Sequence, residues 1–130
     1  MKVLLYVSVI IFAISCSNKF ADEAIRLKEE TFKLHDEIMP VSMELEDYRE
    51  KVMAKAETMD TTAKQQALAI SKALDQAYND MEIWMPKLGD AADMKDSQEK
   101  VDALVELKAD GDKIKQKTLD AKNKAEDFLK

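Results

Sequence analysis

The side chains best suited to chemistry in this chain are one histidine and a group of methionines. His35 lies between two apolar stripes of a predicted helix, and Met39 and Met43 belong to the second stripe. Imidazole nitrogen and thioether sulfur together suit a soft ion such as Cu(I), and a neighbouring indole face can contact a cation. One interpretation is a copper-type site. Its ligands would be His35, Met39, Met43, Met81 and Met85.

The same segment has a second interpretation, as a surface for contact with another helix. A helix through this region carries a second apolar stripe, apart from its main buried face. Methionine is an adaptable packing residue, so the stripe can cover another helix or a partner subunit. The residues of this predicted interaction face are Phe32, His35, Met39 and Met43.

Catalysis is not expected from the residue types present. His35 is the only histidine and Cys16 the only cysteine, which offers little for nucleophilic chemistry. Iron-carboxylate bundles need Glu-x-x-His motifs, but Phe32 stands three residues before His35. The many carboxylates are typical of a solvated helix face, and neither a glycine-rich phosphate loop nor zinc-ligand spacing occurs. We therefore expect neither an enzyme nor a bound cofactor, apart from the Cu(I) alternative.

The first sixteen residues predict export and lipid attachment. Met1-Lys2 precedes an apolar run over residues 3–14, and Ser15-Cys16 follows it. About twelve apolar residues match a signal peptide and fall short of the roughly 20 that span a membrane. Ala13 stands where such motifs usually have leucine. We predict a signal peptide over 1–15 and acylation of Cys16, which would anchor the chain in a bilayer. The expected location is the envelope of a Gram-negative bacterium, with the outer membrane favoured over the inner.

Composition limits the partners and the fold of the remaining residues, 17–130. Without Lys2, 19 basic and 26 acidic side chains give a net charge of −7, which disfavours nucleic acid. A lone cysteine excludes an internal disulfide, and two glycines and two prolines leave little turn chemistry. One helical domain is predicted, and its partner would be an envelope protein or a second copy of the chain.

Apolar residues recur at alternating steps of four and three residues in three segments, which is typical of helices that pack together. These spacings predict an all-α, coiled-coil-like rod, an antiparallel three-helix bundle with helices at about 19–56, 61–88 and 96–129. The predicted buried positions are Phe20, Ala24, Leu27, Thr31, Leu34, Ile38, Val41, Leu45, Tyr48 and Val52; Ala63, Ala67, Ile70, Leu74, Ala77, Met81, Trp84 and Leu88; Leu104, Leu107, Gly111, Ile114, Thr118, Ala121, Ala125 and Phe128.

Local signals predict where the helices end. Asp60 or Thr61 can cap the second helix, Asp96 or Ser97 the third, and Gly89 can end the second in a left-handed conformation. Pro40 predicts a kink because the apolar spacing continues past it, whereas at Pro86 bending and termination are equally expected. Gly111 predicts a close contact between helices.

Folding the first two helices into a hairpin brings the histidine towards the tryptophan. With the turn centred near Met59, residue n of the first helix lies level with about residue 118 − n of the second. His35 then falls near Ile83, beside Trp84 and Met85.

The chain resembles a family of small exported lipoproteins of Bacteroidota-type bacteria, often named viral A-type inclusion protein on coiled-coil similarity alone. The shared residues are the leader ending in Cys16, the runs His35-Asp36-Glu37 and Met39-Pro40, and the pair Trp84-Met85. Pro86 stands where the family usually has a charged helix end. The resemblance implies a helical envelope lipoprotein without an established activity, and the name carries no viral function.

Overall fold

Three long helices make up the fold. The computed structural model describes the backbone of residues 2–130 and the side chains of residues 19–130. The helices are α1 (Lys2–Ala56), α2 (Thr61–Asp93) and α3 (Gln98–Leu129), and each packs against the other two. No strand occurs in the backbone that is described. The predicted all-α three-helix bundle is confirmed.

The chain runs up, down and up, so α1 and α3 are parallel. Lys115 Nζ lies 2.6 Å from Glu37 Oε2, Lys122 Nζ lies 3.0 Å from Glu44 Oε2, and both pairs span 78 residues. A constant separation is the mark of parallel helices in fixed register. Short connections, residues 57–60 and 94–97, make sequential helices antiparallel.

The predicted buried faces of α2 and α3 are confirmed almost residue for residue. From Ala67 to Leu88 and from Leu104 to Ala125 every predicted position is buried, and Ala63 and Phe128 at the ends are partly buried. In α1 the match is close, but Phe20, Val41 and Tyr48 are only partly buried, and Ser42, next to Val41, is buried. Each helix of a three-helix bundle faces two neighbours, so residues beside the central row are also covered.

The two predicted N-caps are both present. Asp60 Oδ1 accepts a hydrogen bond from the Ala63 amide at 2.9 Å at the start of α2. Ser97 Oγ accepts one from the Lys100 amide at 3.2 Å at the start of α3. These bonds satisfy amides that have no partner within the first turn of a helix.

The predicted end of α2 at residue 88 is wrong. The helix continues through Pro86 and Gly89 to Asp93, and no described glycine has a positive φ. The physical reason is packing, because Ala91 is buried against the core and extends the buried row by one turn beyond Leu88. Met94 then ends the helix, and its amide donates to the Ala91 carbonyl.

The predicted starts of α3 and α1 also differ from the structure, whereas the other predicted bounds match it. α3 begins at Gln98 rather than near 96, because Ser97 is its N-cap. Pro40 lies inside α1, so it does not end the helix, and the kink stays a prediction. The bounds of α1 begin at Lys2 rather than near 19 and therefore include the predicted leader. The Cys16 side chain lies outside the described residues, so its acylation stays a prediction.

The core is divided into two clusters along the bundle. One contains the large side chains around Trp84, Leu88 and Leu104, and the other is rich in alanine and lies towards the 57–60 connection. Buried Ser42 and Thr118 lie between them in the sequence of α1 and α3 and belong to neither. The candidate site described next lies over the first cluster.

Candidate functional site

Trp84 links α2 to the backbone of α3. Its side chain is buried, and the indole Nε1 donates a hydrogen bond to the Leu107 carbonyl at 2.9 Å. A Cβ atom at Gly111 would lie 2.6 Å from Leu34 Cδ2 and 2.7 Å from Trp84 Cζ2. The missing side chain therefore makes room for the indole, and the predicted close contact at Gly111 is confirmed.

His35 lies on the indole, as the hairpin register predicted. The two rings are stacked with centroids 6.5 Å apart and an interplanar angle of 22°. His35 Nδ1 is 3.0 Å from Asp36 Oδ1, and 26% of the His35 side chain remains exposed. The imidazole thus has one face against the core and access to solvent, which leaves Nε2 as the nitrogen for an external ligand.

The predicted methionine ligands occupy different environments. Met39 and Met85 are partly buried and pack against the same core cluster that contains Trp84. Met81 is only 1% exposed and is a core residue, whereas Met43 is 66% exposed. Of the predicted methionine ligands, Met39 and Met85 therefore resemble His35 in being partly buried over this cluster. Met81 belongs to the interior and Met43 to the surface.

Harder metal ligands do not converge on this region. Within the described part of the chain, no three or more His, Cys, Asp or Glu side chains form a group that could hold a metal ion. A metal at His35 would therefore depend on thioether sulfur, which selects soft ions.

An exposed apolar row runs along α1 beside the histidine. The predicted interaction-face residues Phe32 and Met43 are exposed, and Lys28 Nζ lies 5.9 Å from the centroid of the Phe32 ring. Ile25 is also exposed and extends the row by two turns. Ile25 was not predicted from the sequence, although it lies seven residues before Phe32, the same spacing that separates Phe32 from Met39.

α2 contributes apolar residues to the same side of the bundle. Asp75, Tyr78 and Met85 follow helical spacing on one face, and Asp75 Oδ1 lies 3.4 Å from Arg49 Nε of α1. Tyr78 is exposed and Met85 partly buried. We use the term α1/α2 groove for the surface formed by Phe32, His35, Met39, Met43, Tyr78 and Met85. Tyr78 was also missed, because only the pairing of α1 with α2 gives it a role.

The opposite side of α1 is covered by ion pairs with α3. Lys115 bonds Glu37 and Lys122 bonds Glu44, while the Tyr48 hydroxyl donates to Glu126 Oε1 at 2.8 Å. The bond from Lys115 holds the pKa of Glu37 below its ordinary value. We call this side the α1/α3 ladder. Its carboxylates are already neutralised by lysines of the same chain.

The hydrogen bond to Glu126 raises the pKa of Tyr48, because ionising the phenol would remove the donor and place two negative charges side by side. Lys122 Nζ also lies 5.7 Å from the Tyr48 ring centroid. The ladder therefore ends in a connected cluster rather than an isolated pair.

Comparison of the chain with family models, curated proteins and solved structures finds no match. Over the described residues, no helix has an apolar stretch long enough to cross a membrane.

Proposed function

We propose that this protein is a lipid-anchored envelope protein whose helical bundle has an interaction or structural role without catalysis. Acylated Cys16 would hold it on a membrane of a Gram-negative envelope, with the outer membrane favoured. Its partner would be another envelope protein or a second copy of the chain, and nucleic acid is disfavoured by the acidic net charge.

The observation that carries this proposal is the α1/α2 groove. Phe32, Met43 and Tyr78 expose apolar surface on one side of the bundle, beside the partly buried Met39 and Met85. Contiguous apolar surface on an exported domain is typical of a contact site, and methionine side chains adapt to a partner at low conformational cost.

Crosslinking in living cells, followed by proteomics of the envelope, tests the interaction. We expect the double variant Phe32→Gln/Met43→Gln to lose partner recovery. The matched control is Leu119→Gln/Ile83→Gln, because Leu119 and Ile83 have nearly the same exposure as Phe32 and Met43 but lie outside the groove. Equal recovery with both variants, at equal expression and thermal stability, would contradict the proposal.

Mass spectrometry of the mature amino terminus tests the anchor. The expected product begins at a diacylglyceryl-modified, N-acylated Cys16. An intact leader or an unmodified cysteine would rule out lipid attachment, and the Cys16→Ser variant serves as the control that cannot be acylated.

Soft-metal binding is a second candidate function, and the stacking of His35 on Trp84 favours it. The imidazole stays partly exposed, and Met39 and Met85 pack on the cluster beneath it. An anaerobic Cu(I) competition titration should then give binding that weakens in His35→Ala and Met39→Leu but not in Met53→Leu, a methionine outside the groove. Binding no tighter than micromolar, or unchanged in the first two variants, would end this hypothesis.

A further inference from the structure

We propose that the α1/α2 groove binds a cationic amphipathic helix of another envelope protein. This inference rests on the proposed interaction function and adds the chemistry of the partner. The apolar residues of the groove and the acidic residues around them define that chemistry.

The α1 row of the α1/α2 groove is long enough to contact a bound helix. From Phe32 to Met43 it follows α1 for about 16 Å, or three helical turns. A helix lying along such a surface presents apolar side chains at positions i, i+3 or i+4, and i+7. Met39 and Met85 are the partly buried residues of this surface, and Phe32, Met43 and Tyr78 are its exposed apolar residues.

Acidic side chains that make no salt bridge to a lysine or arginine surround that surface. Asp36 is 78% exposed, and its one contact with an ionisable side chain is with His35. Glu82 lies between Tyr78 and Met85 on α2, and Glu29 and Glu50 lie towards the two ends of the α1 row. Among residues 19–130 these three glutamates make no salt bridge. The lysines of α1 next to this surface are Lys28, over the Phe32 ring, and Lys33, one turn from both Glu29 and Asp36.

The α1/α3 ladder makes this charge arrangement distinctive. There Glu37 and Glu44 are each bonded to a lysine of α3, so that side presents compensated charge. Arg49, the one arginine at the α1/α2 contact, is engaged by both Glu46 and Asp75. The groove therefore retains net negative charge around apolar surface, which complements a helix with lysine or arginine flanking its apolar stripe.

The same charges oppose the other occupants. A second copy related by two-fold symmetry would place acidic rims near each other, where like charges repel. An anionic membrane surface would be repelled for the same reason.

The test uses the mature lipidated protein in phosphatidylcholine nanodiscs and a fluorescent 18-residue peptide of leucine and lysine with helical amphipathic spacing. Binding is measured by fluorescence anisotropy after subtraction of empty nanodiscs. A peptide with every lysine replaced by glutamate is the probe of opposite charge. We expect the lysine peptide to bind and the glutamate peptide not to bind.

Paired variants locate the binding surface. We expect Asp36→Lys and Glu82→Lys each to weaken binding about three- to fivefold, since each reverses one exposed charge. The control Asp112→Lys makes the same change on α3 beside the ladder, at a side chain that is 59% exposed. Likewise Met43→Gln should weaken binding, whereas Ile83→Gln, 60% exposed between α2 and α3, should not.

Equal effects of Asp36→Lys and Asp112→Lys would overturn the inference, because they would indicate unspecific attraction to an acidic protein. Absence of binding, preference for the glutamate peptide, or self-association that depends on Met43 would also overturn it. If these fail while crosslinking still captures a partner through Phe32 and Met43, the interaction function stands and only the partner chemistry is wrong.

Discussion

α1 contacts α3 and α2 through surfaces of different chemistry. Towards α3, Glu37 and Glu44 bond lysines at the same separation of 78 residues, and Tyr48 bonds Glu126 near the end of the helix. Towards α2, the described side chains form one salt bridge, between Arg49 and Asp75, and the apolar side chains of Phe32, Met43 and Tyr78 are exposed beside it.

The two surfaces of α1 therefore differ in what they contribute to the domain. Exposed ion pairs add little to stability, but their pattern opposes a shift of one helix along the other, because a shift would separate each lysine from its carboxylate. The α1/α3 ladder thus specifies the register of the two helices, and its carboxylates Glu37 and Glu44 are each compensated by a lysine. The α1/α2 groove leaves apolar and acidic groups available to a partner.

Trp84 joins the two sides, and its removal should have the largest effect on the bundle. Truncating a buried tryptophan creates a cavity, so we expect Trp84→Ala to lower the free energy of unfolding by about 3–5 kcal/mol in urea denaturation. Trp84→Phe should cost less, because it mainly removes the hydrogen bond to the Leu107 carbonyl. If Trp84→Ala lowers the free energy of unfolding no more than the exposed Tyr78→Ala does, Trp84 does not stabilise the contacts of α2 with both other helices.

The two glycines should respond to alanine with opposite signs. A Cβ at Gly111 collides with Leu34 and Trp84, so Gly111→Ala should lower the free energy of unfolding by about 1–3 kcal/mol. A Cβ at Gly89 meets nothing within 4 Å, so Gly89→Ala should raise it by about 1 kcal/mol through better helix propensity. Thermal and urea unfolding measure both. Destabilisation by Gly89→Ala would contradict the helical conformation at that position.

The ladder should show a smaller, pH-dependent effect at Tyr48. Because the pKa of Tyr48 is raised in the folded state, its contribution to stability is complete below the ordinary value of 10.0 and is lost as pH rises through the folded-state pKa. We expect Glu126→Gln to move the tyrosinate absorbance of Tyr48 to lower pH. Tyr48→Phe identifies that signal, and an unchanged titration in Glu126→Gln would exclude the hydrogen bond as the cause.

The smallest effect should be at Glu37. Its pKa is lowered by Lys115, so the pair contributes above the unfolded-state pKa and is lost as pH falls through the folded-state value. Carboxyl-carbon NMR should place the pKa of Glu37 below the ordinary glutamate value of 4.5 and return it towards that value in Lys115→Met. The matched variant Lys113→Met removes a lysine bonded to Asp110 and should leave Glu37 unchanged.

Much of the fold was predictable from spacing alone, and the exceptions have identifiable causes. The rows from Ala67 to Leu88 and from Leu104 to Ala125 were predicted correctly because helical periodicity is a local property. The end of α2 was predicted wrongly because burial of Ala91 outweighs the low helix propensity of Gly89.

The candidate site was predictable only in part. The approach of His35 to Trp84 followed from the hairpin register, which needs only the position of one short turn. Ile25 and Tyr78 were missed because an exposed apolar residue is ordinary on a helix until its neighbours across the bundle are known. The pairing of Glu37 with Lys115 was equally inaccessible, since many lysines of α3 could meet it under a different rotation of the helix.

The sequence by itself determined three helices, the two N-caps to within one residue, and the faces that the helices bury, because these depend on interactions within a few residues. Only the tertiary structure decided that the Trp84 indole reaches the Leu107 carbonyl through the space left at Gly111. It also decided which side of α1 is closed by α3 lysines and which remains open beside α2. Those outcomes depend on the rotation and register of helices far apart in the chain, which local periodicity does not encode.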